Sequence, residues 1–172
     1  YATYTGDSSV LQGSVYLYST KTQAQLDSSN GIYVGLGFGS KDMMKSDMVI
    51  CKYQPGNKFT CDDYWSNGEV APNLDTQLGG KNDVTLINSS ITTVDTTYSP
   101  YTTLITFNFK KDLTNLDNYD WSDFKNWSSN NGKSAAAIGN MTPAGDLLQH
   151  FFDQEAATLS DGYNAPGSSA YT

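Results

Sequence analysis

The segment from Gly31 to Tyr53 constrains the fold more than any other part of the sequence. It opens with an apolar run, Ile32 to Phe38, in which glycines are set among larger residues. A polar turn follows, and a second apolar run ends at Tyr53. Two apolar runs joined by a short polar turn predict a β-hairpin. Glycines inside the first strand would let a neighbouring sheet or a flat ligand approach the backbone closely.

Similar apolar runs, separated by Gly, Pro and Asn, occur along the rest of the chain. Ile105, Phe107 and Phe109 alternate with other residues in the clearest of them. No alternation of strands with helices is visible, so the pattern predicts an all-β fold, an antiparallel immunoglobulin-like β-sandwich. Further strands are predicted at 10–19, 59–65, 83–94, 101–110, 134–139 and 147–152, with loops at 20–30 and 66–82. We expect a single domain over residues 1–172, with a polar arm or edge strand at about 1–9 and a tail at about 154–172.

The charge balance argues against several classes of partner. The formal net charge is −8, and only 16% of residues are charged. Nucleic-acid binding requires a positive surface, and an anionic membrane surface would repel such a chain. No run approaches the ~20 apolar residues that span a bilayer, so no membrane insertion is expected. The Thr- and Tyr-rich composition favours a secreted protein, from which we expect any signal peptide to have been removed.

Two cysteines and three sequons fit the same setting. Cys51 and Cys61 are predicted to form a disulfide between neighbouring strands, the alternative being two buried free thiols. The candidate glycosylation sites are Asn88, Asn126 and Asn140.

Carboxylates provide two minor alternatives for chemistry. Asp62 with Asp63, and Asp153 with Glu155, are pairs of the type that glycosidases place across a cleft. Asp-rich loops would also allow calcium binding, although no EF-hand loop is present. His150 is the only histidine, and no Gly-x-Ser-x-Gly motif accompanies it, so a hydrolytic triad is not expected.

His150 and the methionine pair Met43 and Met44 are the remaining unusual features. A histidine in an apolar run is commonly a hydrogen-bonded core residue, and a methionine in a loop commonly plugs a core. Together, however, an imidazole nitrogen and a thioether sulfur form a known axial pair for haem iron. Since the sequence lacks Cys-x-x-Cys-His, such a haem would be held non-covalently.

These residues resemble the signature of the DOMON family. The strand Tyr33 to Phe38, the loop and the run Met43 to Ile50 are similar to the family's early motif. The stretches Ala136–Gly139 and Leu147–Phe151 are similar to its late motif, and the resemblance extends from about Val10 to Asp153. It implies a β-sandwich that holds haem b.

The resemblance also implies the ligands. They would be Met43 and His150, with Met44 as the alternative sulfur donor. Phe38, Phe151 and Phe152 are aromatic residues near these ligands that we expect to wall the porphyrin.

With both axial positions filled, the expected role is one-electron transfer, to a redox partner protein or a small electron acceptor, and not enzymatic catalysis. Two alternatives remain open. One is a haem-free module of the same family that binds carbohydrate or protein, with Tyr4, Tyr16, Tyr18 and Tyr101 as binding platforms. The other is a structural subunit of an extracellular homo-oligomer or polymer, built by strand exchange and with or without haem.

Overall fold

A computed structural model describes residues 2–6, 9–39, 44–97, 99–122 and 134–156. These ranges contain ten strands and two short helices. The strands are β1 (Ala2–Gly6), β2 (Val10–Ser19), β3 (Ile32–Phe38), β4 (Met44–Gln54), β5 (Lys58–Asn67), β6 (Asn73–Leu74), β7 (Val84–Thr93), β8 (Thr103–Asp112), β9 (Ser134–Met141) and β10 (Leu147–Ala156). The helices are α1 (Gln23–Ser28) and α2 (Asp75–Leu78).

The strands form two antiparallel sheets. One has four strands in the order β1-β2-β8-β7, and the other has six in the order β10-β9-β3-β4-β5-β6. The predicted all-β sandwich is therefore confirmed. The hairpin that dominates the sequence forms the middle of the larger sheet, where β3 pairs with both β4 and β9.

The core lies between the two sheets because successive strand residues point to opposite faces. Phe107 and Phe109 of β8 meet Val34 and Leu36 of β3 in this layer, all of them buried. The Tyr53 ring of β4 also lies in this layer, and its centroid is 5.2 Å from that of the Phe59 ring. Burying this apolar surface is the main favourable term in folding.

The observed elements extend the predicted ones in a few places. The polar segment 20–30 contains helix α1, which begins with a capping box. The Thr22 hydroxyl accepts a hydrogen bond from the Gln25 backbone N–H, and the Gln25 side chain accepts one from the Thr22 N–H. Strand β4 begins at Met44 instead of Met48, and β10 continues to Ala156.

Cys51 and Cys61 form the predicted disulfide. They are directly opposite each other on β4 and β5, and both are buried in the core. A disulfide is compatible with an oxidising, extracellular environment. Among the described residues, no helix is long and apolar enough to cross a membrane.

Candidate functional site

The six-stranded sheet has a second apolar surface on the side turned away from the core, here called the outer face. Five buried residues form its own cluster: Tyr33, Met48, Ile50, Tyr64 and Met141. An antiparallel sheet usually turns its second face to water. A buried apolar cluster on that face is therefore a feature to explain.

A strip of very small residues crosses the outer face. Gly35 is opposite Ala137, Gly37 is opposite Ala135, and Gly139 is opposite Tyr33. We call these five residues, Gly35, Gly37, Ala135, Ala137 and Gly139, the small-residue strip. Its members belong to the adjacent strands β3 and β9, so they form one continuous patch of the sheet.

The glycines of the strip differ in how much room they leave. Among the described residues, a Cβ at Gly35 would meet only Cγ1 of Ile50, at an ordinary 3.7 Å. A Cβ at Gly139 would lie 2.5 Å from the Tyr33 ring, so that position is filled by the tyrosine. Gly35, in the centre of the sheet, is therefore a glycine of the strip with few described neighbours over it, and it is buried.

His150 is located on the outer face at one end of this strip. It pairs with Gly139, which pairs with Tyr33, and directly paired residues project to the same face. The Tyr33 hydroxyl donates a 2.9 Å hydrogen bond to the Leu148 carbonyl, which fastens the start of β10. Register shifts on both sides of His150 set it apart from a regular ladder residue.

Met44 lies at the opposite end of the strip. Met44 begins β4, opposite Asn67, and is 53% exposed. Its successor Lys45 has a φ of 52°, at a register shift in the β4–β5 ladder. Met43, the preferred sulfur ligand from the sequence, is outside the described residues.

His150 and Met44 are not brought together by this arrangement. His150 pairs with Gly139, which pairs with Tyr33, and Tyr33 pairs with Lys52 of β4. His150 and Lys52 therefore lie at the same height across the sheet. Lys52 is eight residues along β4 from Met44, which is roughly 26 Å of strand. Two donors to one metal ion lie within about 5 Å of each other. The described conformation therefore places the two residues at opposite ends of the strip, and not at one ion.

The aromatic residues expected near the ligands are distributed differently. Phe38 is buried in the core between the sheets, with its ring 5.6 Å from that of Tyr4. A group on the outer face would not touch it. Phe151 is 61% exposed. Phe152 pairs with Ile138, and its side chain is outside the described part.

A buried cluster of charged residues, which was not predicted from the sequence, lies between the sheets near the start of β4. We call it the Lys111 cluster: Lys111, Asp47, Asp63 and Asp120. The Nζ atom of Lys111 lies 2.5 Å from Asp63 Oδ2, 2.7 Å from Asp120 Oδ1 and 3.3 Å from Asp47 Oδ1. The four side chains are at most 1% exposed. Extending the β8 alternation of Phe107 and Phe109 by two residues would have pointed Lys111 into the core.

Burial and the lysine act in opposite directions on these carboxyl groups. Burial raises the pKa of Asp63 to about 6, although the positive charge of Lys111 lowers it. Burial also raises the pKa of Asp47 well above its usual value, again opposed by Lys111. Burial tends to lower the pKa of Lys111, but the charges of Asp47, Asp63 and Asp120 outweigh it, so that pKa is raised. Lys111 is therefore the cation that allows buried carboxylates to persist there.

Oxygens of Asp47, Asp63 and Asp120 lie within 4.8 Å of one another, a spacing that would also suit a metal ion. The ammonium group of Lys111 already supplies positive charge to all three.

The side chains of Asp62 and Asp63, the carboxylate pair predicted from the sequence, lie on opposite faces of the sheet, because neighbouring strand residues point to opposite faces. These two carboxyl groups therefore do not face each other across a cleft.

The predicted glycosylation sites also have different surroundings. Asn88 is exposed on β7 and accepts a hydrogen bond from the Asn108 side chain. Asn140 is partly buried near the end of β9. Asn126 is outside the described residues.

Comparison with protein families gives one match: the family model for the DOMON domain matches residues 14–125, well over half of the chain. The matched region includes β3, both Met43 and Met44, and Lys111, and it ends before His150. A search of curated proteins gave no match.

Proposed function

The chain belongs to the DOMON family, and on that basis we propose that it is a secreted electron-transfer protein that holds haem b non-covalently on the outer face. The observation that carries the proposal is the small-residue strip with His150 on the same face. A flat macrocycle needs a surface free of protruding side chains, and Gly35 provides one beside Ala137 and Ile50.

The residues around the strip suit such a group. Tyr33, Ile50 and Met48 give it buried apolar walls. His150 offers the imidazole nitrogen expected of one axial ligand. The Tyr33 hydroxyl, through its bond to Leu148, holds the strand that carries that histidine. Haem bound in this way supplies an iron that gains and loses one electron.

A methionine, Met43 or Met44, would hold such a haem together with His150. Met44 is half exposed and lies far from His150 along the sheet, so it could hold such a haem together with His150 only in an arrangement other than the described one. Met43 precedes Met44 in the sequence. Sulfur is a soft ligand and raises the reduction potential of haem iron.

The proposed activity is one-electron exchange at the haem edge, with no substrate bond broken. A haem held by both His150 and a methionine would have no position left for a substrate, so a catalytic role is not part of the proposal. A net charge of −8 favours a redox partner with a positive surface, or a small electron acceptor without negative charge.

Absorption spectroscopy of the purified native protein tests the proposal. A Soret band, with sharp α and β bands on reduction, is the expected result. His150→Ala should lose the haem or leave it five-coordinate. Met43→Ala and Met44→Ala identify the sulfur donor, and Met141→Leu is the control because Met141 is a buried methionine of the same face. A folded preparation without iron, which also fails to take up added haem, would refute the proposal.

The haem-free alternative depends on a different surface. Tyr18 is 39% exposed, and its ring centroid is 5.6 Å from that of Tyr101 on the four-stranded sheet. Such a pair would suit the apolar face of a sugar ring. Tyr4, a candidate platform from the sequence, is buried in the core and takes no part. Calorimetric titration with oligosaccharides, compared with Tyr18→Ala, tests this alternative.

A further inference from the structure

Residues 73–80 form a small flap at the β6 edge of the six-stranded sheet. The flap consists of β6, helix α2 and a glycine pair. Strand β6 pairs with β5 at two positions, Leu74 with Tyr64 and Asn73 with Trp65. Helix α2 has four residues, too few to be stable without tertiary contacts. The attachment of the flap therefore depends on the side chains beneath it.

The side chains of the flap reach around both sides of the β5 edge. Leu74 packs against the apolar cluster of the outer face, to which its pairing partner Tyr64 belongs. The next residue, Asp75, is fully buried, and the charges of the Lys111 cluster act on it. The flap therefore covers one end of the outer face and inserts a carboxyl group beside the buried charges.

Asp75 lies in an environment that disfavours its ionised form. Neither of its carboxyl oxygens has a hydrogen-bond partner among the described residues. The carboxyl groups that act on it are Asp63 of β5, and Asp117 and Asp120 of the segment after β8. Among the described residues, Lys111 is the cation that acts on it, and Lys111 already pairs with Asp63 and Asp120. A buried carboxylate without its own partner is costly, so the closed flap requires Asp75 in its neutral form.

The proton of Asp75 is therefore linked to closure of the flap. Burial raises the pKa of Asp75 to about 8, with the charge of Asp63 adding to this effect and that of Lys111 opposing it. In an open flap, the carboxyl group would regain the usual aspartate pKa of about 4. The closed flap binds the proton more tightly, so its stability is lost as pH rises from about 4 through 8.

A hinge lies at the other end of the flap. Gly79 has a φ of 92°, a left-handed conformation that glycine adopts without strain. Just beyond it, the Lys81 backbone N–H donates a 2.8 Å hydrogen bond to Asp117 Oδ2. The chain after the hinge is thus fixed to the segment that follows β8, and residues 73–78 can move about Gly79.

We propose that this flap is a pH-operated cover of the β5 edge: it is closed while Asp75 is a neutral acid, and it opens when Asp75 gives its proton to water. Opening separates Leu74 from Tyr64 and so uncovers one end of the outer face. It also breaks the pairing of Asn73 with Trp65. This inference goes beyond the proposed function and does not depend on haem.

Hydrogen exchange of the wild-type protein, followed by mass spectrometry at pH 6 and pH 8, tests the cover. Rates are divided by the intrinsic exchange rates, which removes the direct effect of pH. Loss of one proton on opening favours the open flap about tenfold per pH unit, so protection of residues 73–80 should fall at least about tenfold. Unchanged protection of these residues would overturn the proposal.

Low concentrations of urea distinguish opening of the flap from unfolding of the whole domain. A local opening exposes little surface, so exchange of residues 73–80 should not accelerate with urea. Exchange of residues 103–109 in β8 should accelerate, because these core amides exchange through global unfolding. If the flap responded to urea as strongly as β8 does, it would not open by itself and the proposal would be wrong.

Substitutions identify the group that loses the proton. Asp75→Asn cannot ionise, so protection of the flap should be the same at pH 6 and pH 8. Asp75→Ala should also lose the pH dependence, and it covers the case that the buried amide of Asp75→Asn prevents folding. Glu69→Gln, at an exposed carboxylate close to the flap, is the control and should retain the wild-type response. A folded Asp75 variant with the wild-type response would refute the role of Asp75.

Discussion

Lys111 of β8 and Asp63 of β5 are joined through the interior of the sandwich, with 2.5 Å between Nζ and Oδ2 and neither side chain exposed. The two residues belong to different sheets. Asp47 and Asp120 approach the same ammonium group. One buried cation thus links both sheets and the segment that precedes Trp121.

Lys111→Met should destabilise the fold strongly. It leaves three buried carboxylates without their cation, and removing one partner of a buried ion pair costs about 3–5 kcal/mol. Urea unfolding at pH 7 measures this, with the exposed neighbour Lys110→Met as the control, expected within about 0.5 kcal/mol of wild type. The cost should shrink at pH 5, because burial raises the pKa of Asp63 to about 6 even with Lys111 beside it, and without that cation its carboxyl group protonates still more readily. Equal effects of the two substitutions would contradict the prediction.

Asp75→Asn should stabilise the protein at alkaline pH. The Asp75 carboxyl group is buried, and neither of its oxygens has a hydrogen-bond partner among the described residues. Burial, with the nearby charge of Asp63, raises its pKa to about 8. The folded state therefore binds this proton more tightly than the unfolded state, and the associated stability is lost as pH rises from about 4 towards 8.

Urea unfolding of wild type and Asp75→Asn at pH 5 and pH 8.5 tests this linkage. The variant should gain about 1–3 kcal/mol over wild type at pH 8.5 and much less at pH 5. Glu69→Gln, at an exposed site, should show neither change. A variant that loses stability at pH 8.5 would show that the Asp75 carboxylate has a stabilising partner when ionised.

The double substitution of Cys51 and Cys61 by alanine should lower the free energy of unfolding by about 2–4 kcal/mol, as expected for a disulfide that closes a short loop. Calorimetry with and without reductant provides the control, since reduction should destabilise wild type but not the double variant. Because both cysteines are on the core side of the sheet, haem content should not change. If complete reduction left the melting temperature of the wild type unchanged, the disulfide would not contribute this stability.

Gly35→Val should weaken haem binding and leave the haem-free fold intact. A Cβ at Gly35 meets only Ile50 among the described residues, and valine favours strands, so we expect the free energy of unfolding to change by less than about 1 kcal/mol. The added methyl groups occupy the space over the strip, and haem affinity should fall at least about tenfold. Thr60→Val, an exposed substitution on the same sheet, is the control. Unchanged affinity in Gly35→Val would place the haem elsewhere.

Local sequence patterns determined much of this protein. Alternation of apolar residues determined most of the strands, and hence the sandwich and the core faces of β3 and β8, because the side-chain period of a strand is two. The proximity of Cys51 and Cys61 also followed from a short connection between neighbouring strands. The spacing of Thr22 and Gln25 also indicates a capping box in the sequence itself, although this segment was predicted to be a loop.

Only the tertiary structure decided which distant residues meet. Asp47, Asp63 and Asp120 surround Lys111 because β8 packs across β4 and β5, and no local pattern encodes a packing of two sheets. The same holds for the small-residue strip, which needs the register of β3 against β9 before Gly35 and Ala137 become neighbours. The sequence could select His150 and a methionine by their donor chemistry. Their positions at opposite ends of one face follow from strand order and register, which are set by long-range contacts.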